Sequence, residues 1–181
     1  MTSRAASPVT TRLATPDDAA LLASLGASTF TDAFAADNTP ADMAEYLAAS
    51  FVEEVQRVEL ADPRHVVFVA ERSGDTAGYA VLRIGPAPDA VQGADPIEIA
   101  RLYAVSQWIG AGVGAALMQR CLEEAAARGK RTIWLGVWEH NARAMAFYRR
   151  WGFTDVGTQT FMLGRDAQSD RVMARRVGGE G

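Results

Sequence analysis

Little in this chain suits a metal centre or a covalent cross-link. Its 181 residues include one cysteine, Cys121, and two histidines, His65 and His140. An intrachain disulfide or a cysteine-based metal cage is therefore excluded, and two isolated histidines are too few for a metal site. Positive charge is short as well: 18 Lys and Arg against 22 Asp and Glu give a formal net charge of -4. That balance leaves no electrostatic footprint for nucleic acid and would suit a cationic substrate. The opening "MTSRAASPVT" lacks the apolar run of a signal peptide, and no apolar stretch approaches the roughly 20 residues that span a bilayer. The expectation is one domain over residues 1–181 with a substantial core, cytoplasmic, with residues 1–10 and 178–181 flexible and no nucleic-acid or membrane partner.

What is present is patterned. Thr15, Pro16, Asp17 and Asp18 announce a helix in "TPDDAALLASLGASTFTDAF", because a threonine cap, a proline at the first position and early acids complement a helix N-terminus. A second helical region, "TPADMAEYLAASFVEEVQRVEL", contains a capping-box pattern at Ser50 and Glu53, which predicts a break near Ser50. The period then changes. "HVVFVAE" and "AGYAVLRIG" read as a hairpin across "RSGDT", and "IEIARLYAV" (97–105) reads as a third strand. A glycine-rich loop and helix lead to a further strand at 131–139, a helix in "NARAMAFYRRWGF", and the closing strands "GTQTFMLG" and "DRVMARRV".

The loop "SQWIGAGVGAALM" poses the functional question, since glycine corners at a helix N-terminus leave N–H groups free for an anion. A mononucleotide P-loop needs Lys and Ser or Thr after its last glycine, where this chain has Ala115 and Ala116. A dinucleotide fingerprint matches Gly110, Gly112 and Ala115, with Glu139 as a ribose-binding acid. Against it stand the four residues "SQWI" between strand and first glycine, and too little remaining chain for a doubly wound sheet.

"IEIARLYAVSQWIGAGVGAALM" followed by "IWLGVWEHNARAMAFYRRWGF" resembles the cofactor core of the GCN5-related N-acetyltransferases, from about Thr11 to Val177. The resemblance implies an α/β (α+β) fold with a mixed, largely antiparallel sheet whose two parallel central strands splay, flanked by helices. It implies acetyl-CoA as cosubstrate, no metal, and direct transfer of the acetyl group to a small-molecule amine; it also admits a homodimer. The cofactor would lie against Leu102 and Ala104 on the strand, and on Ile109, Gly110, Ala111, Gly112, Val113, Gly114 and Ala115 in the loop. Asn141 would reach the pantetheine region, and Tyr148 would protonate the leaving thiolate. Glu98 matches the glutamate that serves several members as general base, and the Leu102 and Ala104 N–H groups would polarise the thioester carbonyl. Ile109 stands where the family usually has Gln or Arg, so weaker cofactor affinity is expected.

"STFTDAFAADNTPADMAEYLAASF", "WLGVWEHN" and "FMLGRDAQSDRVM" are similar to the PaiA-like branch, which implies a polyamine such as spermidine. Distal ammonium groups need carboxylates, and Asp32 and Glu139 are chosen over Asp37 and Glu45. His140 is expected to flank the cofactor slot, Trp134 and Trp138 to line the acceptor channel or pack in the core, and Cys121 to be buried packing. A non-catalytic acyl-CoA-binding regulatory module and a dinucleotide-dependent oxidoreductase are the alternatives.

Overall fold

The computed structural model describes residues 7–178. The strand Val9–Leu13 (β1) leads through a 3-10 turn at Pro16–Asp18 into three helices, Ala19–Phe34 (α1), Pro40–Ser50 (α2) and Glu53–Ala61 (α3). Strands His65–Arg72 (β2), Asp75–Arg83 (β3) and Pro96–Ala104 (β4) follow, then helix Val113–Ala127 (α4), strand Thr132–Trp138 (β5) and helix Ala142–Arg150 (α5). A hairpin of Thr154–Leu163 (β6) and Asp166–Arg176 (β7) closes the chain. All seven strands form one mixed sheet in the order β1-β2-β3-β4-β5-β7-β6, with β4 and β5 parallel and the other neighbours antiparallel.

The sheet is apolar on both faces, which is why β2 reads as a continuous run rather than an alternation. Val66, Phe68 and Ala70 turn towards Leu117, Met118 and Cys121 of α4. Val67 and Val69 turn the other way, towards Leu22 and Leu25 of α1. Burial pushes the Cys121 thiol up to about 12, so this cysteine packs as an inert small hydrophobe.

Four expectations need correcting. Val9 and Thr10, assigned to a flexible start, pair with Arg72 and Glu71 of β2; the remaining end residues so assigned fall mostly outside the described ones. The break after Ser50 is real, but Val52 rather than Ser50 caps α3. The buried Gln56 donates through Nε2 to the Ser50 carbonyl at 2.7 Å and so satisfies the backbone group that the break exposes. The helical stretch Pro16–Asp37 is 22 residues long and apolar enough to meet the length and composition of a membrane span. Here its apolar side, with Leu22, Leu25 and Phe30, packs into two core clusters. The fourth is Glu139, chosen for the acceptor site, which lies outside the cleft lining beside His140.

β1 is tied to α1 by charge. Arg12 donates to both Asp18 carboxylate oxygens at 2.8 Å, and the Thr15 N–H donates to Asp18 at 2.7 Å. These contacts, the Arg12 guanidinium first, hold the Asp18 carboxyl down at about 2. A folded-state value below the unfolded one stabilises above the unfolded value and is lost as pH falls through the folded one. Between about pH 4 and pH 2 the protein is therefore expected to lose about 1–2 kcal/mol at this site, discounted for the half-open Arg12. Urea unfolding across that range should show a smaller acid loss in Asp18→Asn than in the wild type; equal losses would assign the acid sensitivity elsewhere.

Candidate active site

β4 and β5 pair only at their beginnings: Pro96, Ile97 and Glu98 stand opposite Thr132, Ile133 and Trp134. The reason lies in β4. Val81 and Leu82 of β3 face Arg101 and Ile99, so Ala100 is unopposed, a β-bulge. An extra residue bends a strand and reverses which side chains face which way. Accordingly Ile97 and Ile99 pack with α4, and beyond the bulge it is Leu102 and Ala104 that do so. Tyr103 joins the opposite cluster, and Arg101 pairs with Glu59 of α3 at 2.7 Å.

The bend opens a gap between the second halves of β4 and β5. The Val105 N–H bonds to the Ala77 carbonyl of β3 at 2.9 Å. By the alternation of an antiparallel ladder, Tyr103 and Arg101 also direct their backbone groups to β3, so Leu102 and Ala104 direct theirs into the gap. Around the gap lies a cleft of about 860 Å³, bounded by β4, β5, α5, the glycine loop and the ends of α1 and α2.

At one end is the glycine loop. Gly110 (φ +80°) and Gly112 (φ +90°) adopt the left-handed conformation that side chains resist, and nothing lies within 4 Å of where their Cβ atoms would be. Ala116 is the first α4 residue after the turn whose N–H reaches back, to Gly112 at 3.0 Å, and no side chain caps the helix. The N–H groups of Val113, Gly114 and Ala115 are thus left for a ligand. That of Ala111 is not, because it closes the turn onto the Trp108 carbonyl at 3.0 Å. Arg72 braces the loop from behind: it donates to the Ala111 carbonyl at 2.7 Å and lies 4.9 Å over the Trp108 ring. Arg143 and Arg150 of α5 line the same cleft, and among the described residues neither has an ion-pair partner. These three cations were not anticipated; Arg72 steadies the loop, and Arg143 and Arg150 add positive charge to the cleft that Ile109 does not supply. Ile109 itself is exposed on the cleft. Ile109→Arg is expected to lower the KM for acetyl-CoA about three- to fivefold, since a partly exposed charge contact contributes about 0.5–1 kcal/mol. An unchanged KM would show that the arginines already present suffice.

Beside the gap, α5 presents Tyr148 and Asn141. Tyr148 is 9% exposed, packed against Phe147 and Phe153, and lines the cleft. Burial pushes its phenol well above the usual value, and among the described residues none hydrogen-bonds its hydroxyl. Asn141 caps α5 by accepting from the Ala144 N–H at 3.1 Å while facing the cleft. Glu98 also faces it, with Oε2 held by Arg83 Nε at 2.8 Å and Nη2 at 2.7 Å.

The other end is aromatic. Phe34 of α1 meets Trp138 at 6.2 Å between ring centroids, and Tyr46 of α2 meets Phe161 of β6 at 5.4 Å. Asp32 lines the wall and accepts from Ser106 Oγ at 2.6 Å. Of the other acceptor-site candidates, the chosen Glu139 and the two passed over, Glu45 and Asp37, are elsewhere. Glu139 lies beside His140 (3.8 Å), and both are outside the cleft lining. Glu45 pairs with Arg165, and Asp37 is exposed outside the cleft. Trp138 lines the cleft but Trp134, on the same strand face, does not: it is buried with Val91, Val172 and Ala174 where β4 and β5 are still paired. Asp170 of β7, not anticipated either, is 8% exposed and lines the cleft. Burial first, and then Glu139, pushes its carboxyl up to about 6.

A split parallel pair, an uncapped helix start at one end of the split and a buried phenol beside it form a cleft suited to an extended anionic ligand with a proton donor at its side. β4 enters a 3-10 turn instead of a tight glycine turn, and the sheet is not doubly wound, so the dinucleotide reading is set aside. The profile of the Acetyltransferase (GNAT) family matches residues 28–153, and the chain belongs to that family. It is an acetyl-CoA-dependent N-acetyltransferase. It is 36% identical over 160 residues to an uncharacterized N-acetyltransferase of Mycobacterium bovis, covering 88% of this chain and 98% of that one. One from Lactobacillus delbrueckii subsp. lactis is 33% identical over 149 residues, covering 82% and 86%. The crystal structure of PaiA N-acetyltransferase from Thermoplasma acidophilum in complex with coenzyme A shares the fold, with a TM-score of 0.78, 17% identity and coverage of 93% and 99%.

Proposed function

We propose that the acceptor is a small primary amine, with polyamines such as spermidine as the first class to test, acetylated by direct attack on acetyl-CoA. The observation that carries this reading is the polarity of the cleft. Arg143 and Arg150 stand without carboxylate partners near the glycine loop, whereas Arg83 and Arg101 at the other end are each paired, with Glu98 and Glu59. The uncompensated charge at that end is acidic, which favours a cationic acceptor. Likeness of fold to a PaiA enzyme points the same way.

An alkylammonium has a pKa of about 10.4, so forming the neutral nucleophile at pH 7 costs about 4–5 kcal/mol. Glu98, whose Oε2 is steadied by Arg83, takes that proton directly or through water. The free amine attacks the thioester carbonyl. The N–H groups of Leu102 and Ala104 face the growing oxyanion. As the C–S bond breaks, Tyr148 gives its proton to the thiolate; of the proton held by Glu98 and the surplus proton on the new amide nitrogen, one restores the phenol through water and the other leaves to solvent. The loop N–H groups and Asn141 hold the cofactor.

Thiol release from acetyl-CoA with spermidine, spermine, putrescine, amino acids and a lysine peptide tests the reading. Selective turnover of polyamines supports it. Turnover of another class keeps the amine chemistry and removes the polyamine assignment, and acetyl-CoA binding without any turnover favours the non-catalytic module.

A further inference from the structure

Three carboxylates line the cleft, and two of them have partners. Asp32 accepts from Ser106, and Glu98 is paired with Arg83. Asp170 has neither a hydrogen-bond donor nor an ion-pair partner among the described residues, although its residue is 92% buried, the complement of its 8% exposure. A carboxylate taken out of water without a partner is destabilising, so such a group calls for a ligand that completes it.

Its position says which ligand. In the sheet register Asp170 stands opposite Trp138 of β5 and Gln159 of β6, and cross-strand neighbours share a face. Trp138 turns that face towards Phe34 of α1, so Asp170 is on the aromatic side of the sheet, away from α4 and Tyr148. Gly136 sits beside them on β5, the strand that borders the gap. A Cβ at Gly136 would meet the Gln159 amide and lie 3.1 Å from Asp170 Oδ2. The missing side chain therefore lets the carboxylate lean over β5 towards the split in the sheet. Phe34, Tyr46, Trp138 and Phe161 wall the approach, and aromatic faces attract a cation as well as an alkyl chain.

We propose that Asp170 is the ammonium-binding group of the acceptor site, the carboxylate on which a slender primary alkylammonium docks before its nitrogen reaches the thioester. The assignment rests on the amine-acceptor reading above and adds the residue and the shape of the substrate. A buried carboxylate behind these rings disfavours an anionic acceptor. Glu98 remains the proton acceptor across the gap, and Asp170 holds the charge until the nitrogen is delivered.

The pH dependence follows. Around Asp170 the charged and titratable groups are Glu139 beyond the end of β5 and Tyr46 of α2, with Gln159 of β6 and Gln168 of β7 neutral; elsewhere on the cleft Asp32 is held by Ser106, Glu98 by Arg83, and Arg101 by Glu59. Docking needs the ionised carboxylate, so kcat/KM for the amine should fall as pH drops through about 6, the value to which burial raises this group.

The experiment compares wild type with Asp170→Asn, using n-butylamine and spermidine as acceptors. Thiol release is followed from pH 5 to 9, together with calorimetric binding of both amines to the CoA-loaded protein, acetyl-CoA affinity and Tm. The expected result is a rise of about 30-fold or more in amine KM and Kd in the variant, because the charge partner is gone. The KM for acetyl-CoA should be unchanged, the acid limb near pH 6 should disappear, and Tm should be equal or higher, since an unpartnered buried charge has been removed. A lowered Tm would mark the carboxylate as structural and overturn the proposal. So would a variant that keeps wild-type amine affinity and the same acid limb, or a wild type that binds acetyl-CoA but neither amine. Wild type that binds both amines through Asp170 yet transfers no acetyl group would remove the proposed acceptor chemistry and leave the ammonium site standing.

Discussion

Tyr148→Phe is expected to lower kcat about 10²–10⁴-fold, the usual range for losing a positioned proton donor, with the KM for acetyl-CoA nearly unchanged. The ring is what packs: it lies 5.5 Å from Phe147 and 5.9 Å from Phe153 between centroids, and phenylalanine keeps both contacts. The hydroxyl has no protein partner among the described residues, so removing it leaves nothing unsatisfied and Tm should not fall. Burial keeps the phenol protonated far into the alkaline range, the state in which it can donate to a thiolate. Single-turnover acetyl transfer separates the chemical step from product release. A variant with wild-type single-turnover rates would show that the thiolate takes its proton from water.

The second large effect is one in which stability and affinity move in opposite directions. Gly114 lies in the first turn of α4, with ordinary helical φ, and a Cβ there would sit 3.5 Å from the Phe147 ring, a normal contact. Aspartate is therefore sterically acceptable at this position. A carboxylate in the first turn favours the helix by about 0.3–1 kcal/mol, so Gly114→Asp should hold or raise Tm. The same carboxylate would stand among the uncapped N–H groups of Val113, Gly114 and Ala115, the place proposed for the cofactor diphosphate. Two like charges about 5–6 Å apart at an effective dielectric of about 20 repel by about 3 kcal/mol, so the KM for acetyl-CoA should rise about 100-fold. Titration of acetyl-CoA together with a melting curve checks both signs. A variant with wild-type KM would move the diphosphate away from this helix end.

The two findings that most shape the site were hidden for a common reason. "IEIARLYAV" reads as an uninterrupted strand, and nothing in it marks Ala100 as surplus; the bulge exists only in the register with Val81 and Leu82. Asp170, between serine and arginine, reads as a solvated acid, and its burial depends on the missing side chain of Gly136 and on Gln159 beside it. Local signals served better. Positive-φ glycines before an apolar helix, the capping asparagine and the helical spacing of Phe147, Tyr148 and Trp151 were all readable, because each depends on the chain's nearest neighbours. Trp134 and Trp138 show the limit of that approach, since they share a strand face but differ in what the neighbouring strand does beside them.

The parting of β4 from β5 also bears on how the molecule holds together. A sheet normally ends at its margins, but this one has an unfinished seam at its centre, with Leu102 and Ala104 presenting backbone groups to no strand. An extended ligand in the seam would meet those groups and bridge β4 and β5. The two sides are joined by the short ladder at Pro96 to Glu98 and by one core, in which Ile97 and Ile99 share α4 with Ile133, Leu135 and Val137; a ligand in the seam would add to both, so Tm should rise with its concentration.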